Sequence, residues 1–542
     1  MTKQKAITLA LAQINPVVGD VAGNADKILY WSGRALTDFN ADVVILPELT
    51  LTGYPPEDLL FRRQFIEQVE AAIISISQRN PGLCMIFGAV KRDKKGLYNC
   101  AVIARPNLPL AFYAKQALPN YGVFDEQRYF QAGHAPCVVE VSGFRLGITV
   151  CEDIWFPEPA ALAREAGAQL IVNLNASPFH ASKTRDRIQQ VRQRVAENKL
   201  PVCYVNMVGG QDELLFDGHS FVVDAEQNMI QEAQGFAECL AVVEVDHNIV
   251  MTAVSAAHAE TGELQQLYDA LVLATRDYVL KNGFSKVLLG LSGGIDSALV
   301  LAIAVDALGS DSVQAIMMPY HYTAEMSRSD AAEQARLLGV AYSEIAIRDP
   351  VEAFMQVLDD EFTGLGKDAT EENLQARSRG VILMALSNKK GAMLLTTGNK
   401  SEMSVGYATL YGDMAGGFAP IKDVSKLKVY ALANYRNSIS AAIPQRVIDR
   451  PPSAELAPDQ KDQDSLPPYE VLDPILEMYI EQDLSVADII AQGFDADVVK
   501  RVSWLVDRNE YKRRQSPPGV RVTRRAFGKE RRYPITSGFR RD

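Results

Sequence analysis

The stretch LLGLSGGIDSALVLAIAVDALG, from Leu288 to Gly309, constrains the fold of this chain more than any other. An apolar strand runs into a glycine-rich turn and out into an apolar helix. Backbone N–H groups in such a turn, with the dipole of the following helix, attract an anion. Ser292 and Ser297 add hydroxyl donors. Asp296 would repel phosphate unless a cation lay between them, so it points to Mg2+ bridging it to a polyphosphate. The GxxxxGK[ST] and GxGxxG loops are both absent. Gly290-Leu291-Ser292-Gly293-Gly294 does fit GxSxG, but that hydrolase elbow needs a later histidine, and only His321 follows.

The alternation continues beyond the loop. VQAIMMPY reads as a strand, SRSDAAEQARLLG as a helix, YSEIAI as a strand, ENLQARSRGVILMALSNKKG as a helix and AMLLTTGN as a strand. Repeated βα units of this kind predict a doubly wound parallel sheet. The first half also alternates, from AITLALAQI through ADVVILPEL, LCMIFGAV, FRLGITVCED and AQLIVNLNAS, with helical spacing between, and is read as a mixed α/β sheet layered with helices. Between the halves, 247–262 lacks clear periodicity and is read as a linker joining domains 1–246 and 263–542. EFTGLGKDATEE and PPSAELAPDQKDQDSLPP are polar, turn-rich and read as mobile.

A length of 542 residues suits two to four domains, and 47% apolar content is that of a globular chain. A net charge of −12 disfavours a general nucleic-acid or membrane-surface role. No apolar run reaches transmembrane length. The N-terminal apolar run, broken by Gln13 and Asn15, is not built as a signal peptide. Six scattered cysteines without a CxxC fit a reducing cytoplasm.

Cys151 ends the strand FRLGITVC, where active-site residues of open α/β sheets collect. Alone it would read as a buried structural cysteine. Glu48 and Lys115 change the reading. Together the three resemble the Glu-Lys-Cys triad of the nitrilase/amidase superfamily, which implies an amide substrate, a poor electrophile whose barrier a thioester route divides. The route needs a thiolate favoured by a nearby ammonium, a carboxylate to carry the proton to departing ammonia, and a donor to the oxyanion.

SGGIDS after a strand resembles the pyrophosphate loop of N-type ATP pyrophosphatases. The segments 394–435 and 510–536 are similar to those of NAD+ synthetases. Glu48, Lys115 and Cys151, with PELTLTGYPPEDLL and PNYGVFDEQRYF around them, resemble the triad of nitrilase-type glutaminases. Over its length the chain resembles the glutamine-dependent NAD+ synthetase family. The resemblance implies a nitrilase-like α-β-β-α sandwich followed by an adenine nucleotide alpha hydrolase-like parallel sheet. It implies ATP-dependent amidation of deamido-NAD+ through an adenylate, with ammonia from glutamine. Glu48, Lys115 and Cys151 would be catalytic, Glu126 supporting, and Tyr121, Ser177 and Lys183 glutamine-binding. Gly290, Leu291, Ser292, Gly293, Gly294, Ile295, Asp296, Ser297 and Thr397 would hold ATP. Asn373, Glu402 and Lys512 would hold deamido-NAD+, and Asp296 and Glu402 the Mg2+. Without the resemblance, Asn373 reads equally as a helix N-cap. It further implies a cytoplasmic homodimer or larger homo-oligomer, and 455–466 mobile without substrate. Three alternatives stand beside this: an amidotransferase acting on another adenylated acceptor, a non-catalytic scaffold, and a stand-alone amidase with an unrelated ATP-binding regulator.

Overall fold

The structure is a computed structural model that describes residues 6–256, 261–452, 455–457, 462–464 and 466–539. Its residues divide into two compact units, 1–261 and 262–542. Among the described residues no helix is long and apolar enough to cross a membrane.

The first unit is an α-β-β-α sandwich. One sheet has seven strands, in spatial order Met251–Ala253, Cys239–Val245, Ile7–Gln13, Val43–Ile45, Cys84–Arg92, Leu97–Ala104 and Ala111–Ala114. The other has six, in the order Met229–Glu232, Phe221–Val223, Val202–Asn206, Leu170–Asn175, Phe144–Val150 and Cys137–Val141. Side chains alternate faces along a strand. Ile7, Leu9 and Leu11 accordingly join Ile148, Val150, Val172 and Val205 in the core between the sheets. Ala10 and Ala12 face the other way, toward the helices Val21–Phe39 and Arg63–Gln78. On the far side, Val191 and Val195 of the helix Lys183–Asn198 cover Ile171, Val202 and Tyr204. The central strands of both sheets are parallel, so their C-terminal ends lie together.

Within the expected linker, Met251–Ala253 pairs antiparallel with Cys239–Val245 as the edge of the seven-stranded sheet. Three residues are too few to show a period. Residues 257–260 lie outside the described residues.

The second unit holds a four-stranded parallel sheet in the order Ala341–Glu344, Val313–Met317, Val287–Gly290 and Met393–Leu395. The helix Ile295–Leu308 is buried on almost every side, which is why its sequence is nearly all apolar. On the opposite face Leu288, Ile316 and Leu394 pack with Val351 and Leu383 from the helices Arg348–Val357 and Ala369–Lys390. Chain order reverses beside Val287–Gly290, since the next two strands lie on one side and Met393–Leu395 on the other. Ligands of open α/β sheets bind at such a switch point. Of the segments expected to be mobile, 453–454, 458–461 and 465 lie outside the described residues.

Candidate active sites

In the first unit, Cys151 follows Val150 directly, at the start of the short turn Cys151–Trp155. Its φ of 47° is left-handed, uncommon for a side chain of this kind and frequent at functional turns. Asp153 locks the turn. Its Oδ2 accepts from the Val150 N–H at 2.9 Å and the Tyr113 hydroxyl at 2.7 Å. Its Oδ1 accepts from the N–H groups of Gln116 and Ala117 at 3.0 and 2.8 Å. The turn carrying Cys151 is thus tied to the segment carrying Lys115.

Glu48 lies three residues past its strand, where the chain hugs Cys84–Arg92. Only glycine at position 88 permits this, because a Cβ there would stand 2.0 Å from the Leu49 nitrogen. Lys115 Nζ is wholly enclosed and sits 2.7 Å from Glu48 Oε1 and 2.8 Å from Glu126 Oε1. Asn99 Nδ2 donates to Glu48 Oε1 at 2.7 Å, the Ala176 N–H to Oε2 at 3.0 Å, and the Tyr54 hydroxyl to Glu126 Oε1 at 3.0 Å. An ammonium has three donors, so one of Lys115 remains after Glu48 and Glu126. Burial pushes the Glu126 carboxyl up to about 7, against the pull of Lys115.

One expectation needs correction. The ammonium does lower the Cys151 thiol, but burial and then the Glu48 charge outweigh it, and the thiol stands well above its ordinary value.

The expected glutamine residues gather around Glu152 and Cys151. The Tyr121 hydroxyl donates to Glu152 Oε1 at 2.8 Å. Lys183 opens its helix and lies 4.2 Å over the Trp155 ring. Burial, then the Arg187 charge, pulls its ammonium down to about 8. Ser177 is buried, with its N–H on Asn206 Oδ1 at 2.9 Å.

In the second unit, the glycine loop opens onto a cavity of about 280 Å³ lined by Gly290, Ser292, Gly294, Asp296, Thr397 and Glu402, among others. Gly293 has φ of 81°, and a Cβ there would meet the Ser327 carbonyl oxygen at 2.4 Å. Ser292 and Ser297 hold the loop shut on itself, their hydroxyls 3.1 Å apart. Asn399 caps the helix Lys400–Val405 by accepting from the Glu402 N–H at 3.0 Å, and its Nδ2 donates to Asp296 Oδ1 at 2.8 Å. The remaining oxygens of the two acids converge on Lys426, whose Nζ is 2.5 Å from Asp296 Oδ2 and 3.1 Å from Glu402 Oε1. Burial pushes the Glu402 carboxyl up to about 8, opposed by Lys426 and aided by Asp296.

Lys426, Arg379 and Arg450, all lining this cavity, escaped the sequence reading. Arg450 braces the loop, donating to the Gly293 carbonyl at 2.7 Å and the Ser327 hydroxyl at 2.8 Å. Lys426 lies in KDVSK, inside the resembling segment, and that was the available signal. Asn373 and Lys512 do not line the cavity. Asn373 Oδ1 accepts from the Thr409 hydroxyl at 2.8 Å, and Lys512 Nζ donates to the carbonyls of Gly406 and Ala408, both at 2.8 Å. They brace the loop whose Tyr407, Thr409 and Asp413 form the wall. Nor is Asn373 an N-cap, since Asp368 caps that helix with Glu371 as its reciprocal partner.

Residues 8–253 match the carbon-nitrogen hydrolase family and residues 267–516 the NAD synthase family. The chain is 48% identical to a glutamine-dependent NAD(+) synthetase of Acinetobacter baylyi, covering 99% of this chain and all of that one. It is 43% identical to that of Thermotoga maritima, covering 99% of each. The structure of the Acinetobacter baumannii glutamine-dependent NAD+ synthetase in complex with ADP, 47% identical, superposes with a TM-score of 0.80 over 99% of this chain and all of that one. A hydrolase half with a buried cysteine, acid and lysine, a synthase half with a phosphate-type loop, and relatives matched end to end agree: this chain belongs to the glutamine-dependent NAD+ synthetase family.

Proposed function

We propose that the first unit hydrolyses glutamine at Cys151 and that the second uses the ammonia to amidate deamido-NAD+ at the expense of ATP. As the Cys151 sulfur attacks the amide carbonyl, Glu48 takes the thiol proton and returns it to the departing ammonia. The third N–H of Lys115 and the Glu152 N–H meet the oxyanion. Water then cleaves the thioester and glutamate leaves. Bonds from Asn99, Lys115 and Ala176 hold the Glu48 carboxyl in place for that proton transfer. Tyr121, Ser177 and Lys183 hold glutamine.

In the second unit, residues 290–297 and Thr397 hold ATP, with Lys426, Arg379 and Arg450 supplying positive charge. The nicotinate carboxylate of deamido-NAD+ attacks the α-phosphorus and pyrophosphate leaves. Ammonia then attacks the adenylated carbonyl, AMP leaves with the former carboxylate oxygen, and the carboxamide remains. Glu402 stands beside both substrates, and Asn373 and Lys512 brace the loop that meets deamido-NAD+. Among the described residues no cluster of three or more acidic, histidine or cysteine side chains could hold a metal alone. The donor set nonetheless fits Mg2+, which takes one or two carboxylates and completes its shell with phosphate oxygens and water. Asp296 and Glu402 would hold it, and bound there it would neutralise phosphate charge.

The observation that carries this reading is the convergence of Asp296, Glu402 and Lys426 beside the glycine loop. That a relative is solved in complex with ADP supports binding of an adenine nucleotide. The same reading makes the protein a cytoplasmic homodimer or larger homo-oligomer, and six unpaired cysteines accord with a reducing compartment. The test uses deamido-NAD+ labelled with 18O in its carboxylate. One label is expected in the phosphate of AMP. Label in pyrophosphate, or ADP as the nucleotide product, would contradict the adenylate.

A further inference from the structure

The first unit buries an ion pair that the reaction as described does not use. Arg187 lies one helical turn beyond Lys183, fully enclosed, and every short bond it makes goes to the site's framework. Its Nη1 meets Asp217 at 2.7 and 2.9 Å. Its Nη2 donates to the carbonyls of Ser177 at 2.6 Å and Pro178 at 3.1 Å, and its Nε to the Ser177 hydroxyl oxygen at 3.0 Å. Asp217 also accepts from the Thr184 hydroxyl at 3.1 Å.

A buried arginine–aspartate pair often stabilises a fold no better than packed apolar side chains of similar volume. Its geometry here suggests a different use. Arginine can only donate, and a serine hydroxyl has one hydrogen and two lone pairs. With Arg187 filling one lone pair, the Ser177 hydrogen must point elsewhere. The neighbouring Tyr204 hydroxyl interacts with the Ser177 side chain but makes no bond of ordinary hydrogen-bond geometry, so substrate and Tyr204 compete for that hydrogen. The serine itself cannot turn away. Its N–H is held by Asn206 at 2.9 Å and its carbonyl by Arg187. The preceding Ala176 N–H is fixed on Glu48 at 3.0 Å.

We infer that Arg187, held by Asp217, is a positioning residue that makes the Ser177 hydroxyl a donor toward the α-carboxylate of glutamine. This rests on the reading above that Ser177 touches glutamine. Ser177 then presents a hydrogen and Lys183 a positive charge from neighbouring points of one turn and helix, a pairing that suits a carboxylate. Arg187 acts on substrate recognition and leaves the acyl chemistry to Glu48, Lys115 and Cys151.

The experiment compares Arg187→Lys with the doubly neutral Arg187→Gln/Asp217→Asn, which removes both buried charges together. Glutaminase KM and kcat, the alkylation rate of Cys151 by iodoacetamide and ammonium-driven NAD+ formation are read for each. KM for glutamine is expected to rise about tenfold, the scale of one charge-assisted hydrogen bond. Glutaminase kcat, alkylation and ammonium-driven synthesis should stay within about twofold. Ser177→Ala should raise KM by a similar factor, and combining it with Arg187→Lys should add little. An unchanged KM in an Arg187 variant with wild-type alkylation, while Ser177→Ala raises it, would overturn the positioning role alone. An unchanged KM in Ser177→Ala would remove the glutamine-binding reading and the inference with it. Loss of alkylation in both Arg187 variants would make the pair a scaffold element and equally refute the inference.

Discussion

Each unit buries a lysine between two carboxylates, yet the two arrangements do opposite things. Lys115 sits between Glu48 and Glu126 at 2.7 and 2.8 Å with no exposure. Lys426 sits between Asp296 and Glu402 at 2.5 and 3.1 Å on the wall of an open cavity. The first cluster is finished without substrate: donors from Asn99, Ala176 and Tyr54 fix its acids, and one N–H is left for an oxyanion. The second awaits charge from outside. Burial, opposed by Lys426 and aided by Asp296, leaves Glu402 pushed up to about 8, and a phosphate–cation pair would replace bonds that Lys426 now makes to the two acids. Both lysines are buried; the cavity beside Lys426 is what distinguishes a site prepared for a polyanion from one prepared for neutral amide chemistry.

The largest test of this contrast removes each lysine. Lys426→Met should lower synthesis at least about 100-fold with either nitrogen source, because phosphate charge is then met by two carboxylates with less to balance them. Lys115→Met should spare ammonium-driven synthesis and abolish glutaminase activity. It should also destabilise the first unit by about 3–5 kcal/mol, since Glu48 and Glu126 would share a buried space without a counter-charge. Equal loss of the ammonium reaction in both variants, measured side by side, would erase the distinction.

A smaller effect sharpens it through pH. Lys183 is pulled down to about 8 by burial and Arg187, so it loses its charge as pH rises through that value. KM for glutamine should climb above pH 8, approaching about tenfold per pH unit. Lys183→Arg, which stays charged, should move the rise upward. A flat KM from pH 7 to 9.5 would detach Lys183 from the carboxylate. The smallest effect concerns stability. Glu126 titrates near 7 in the fold against an ordinary 4.5, so the folded state holds a proton the unfolded chain has released. Its contribution is complete below about 4.5 and is lost as pH rises through about 7. Glu126→Gln should flatten that decline in the melting temperature of the first unit.

What the sequence disclosed follows from how local each feature is. The phosphate-type loop was legible because strand, glycines, hydroxyls and helix start are consecutive, and the loop's own serines bond each other. Glu48, Lys115 and Cys151 were legible as residue types at strand ends and through family resemblance. Their surroundings were not. Asn99 reaches Glu48 across 51 positions and Asp153 reaches Tyr113 across 40, and no periodicity records such contacts. The upward push on the Cys151 thiol was illegible for the same reason, because it depends on burial and on charges brought together from distant positions. Lys426, at the start of a helix, looks like any surface lysine until Asp296, 130 positions earlier, folds against it.

One chain here is read as holding two independent chemistries, joined only by ammonia. The most direct measurement is NAD+ formation from ATP and deamido-NAD+ by wild type and Cys151→Ala, supplied with either glutamine or ammonium chloride. The account predicts that the variant loses the glutamine-driven reaction and keeps the ammonium-driven one. Retention of glutamine-driven synthesis in the variant, or loss of both reactions from a folded protein, would contradict it.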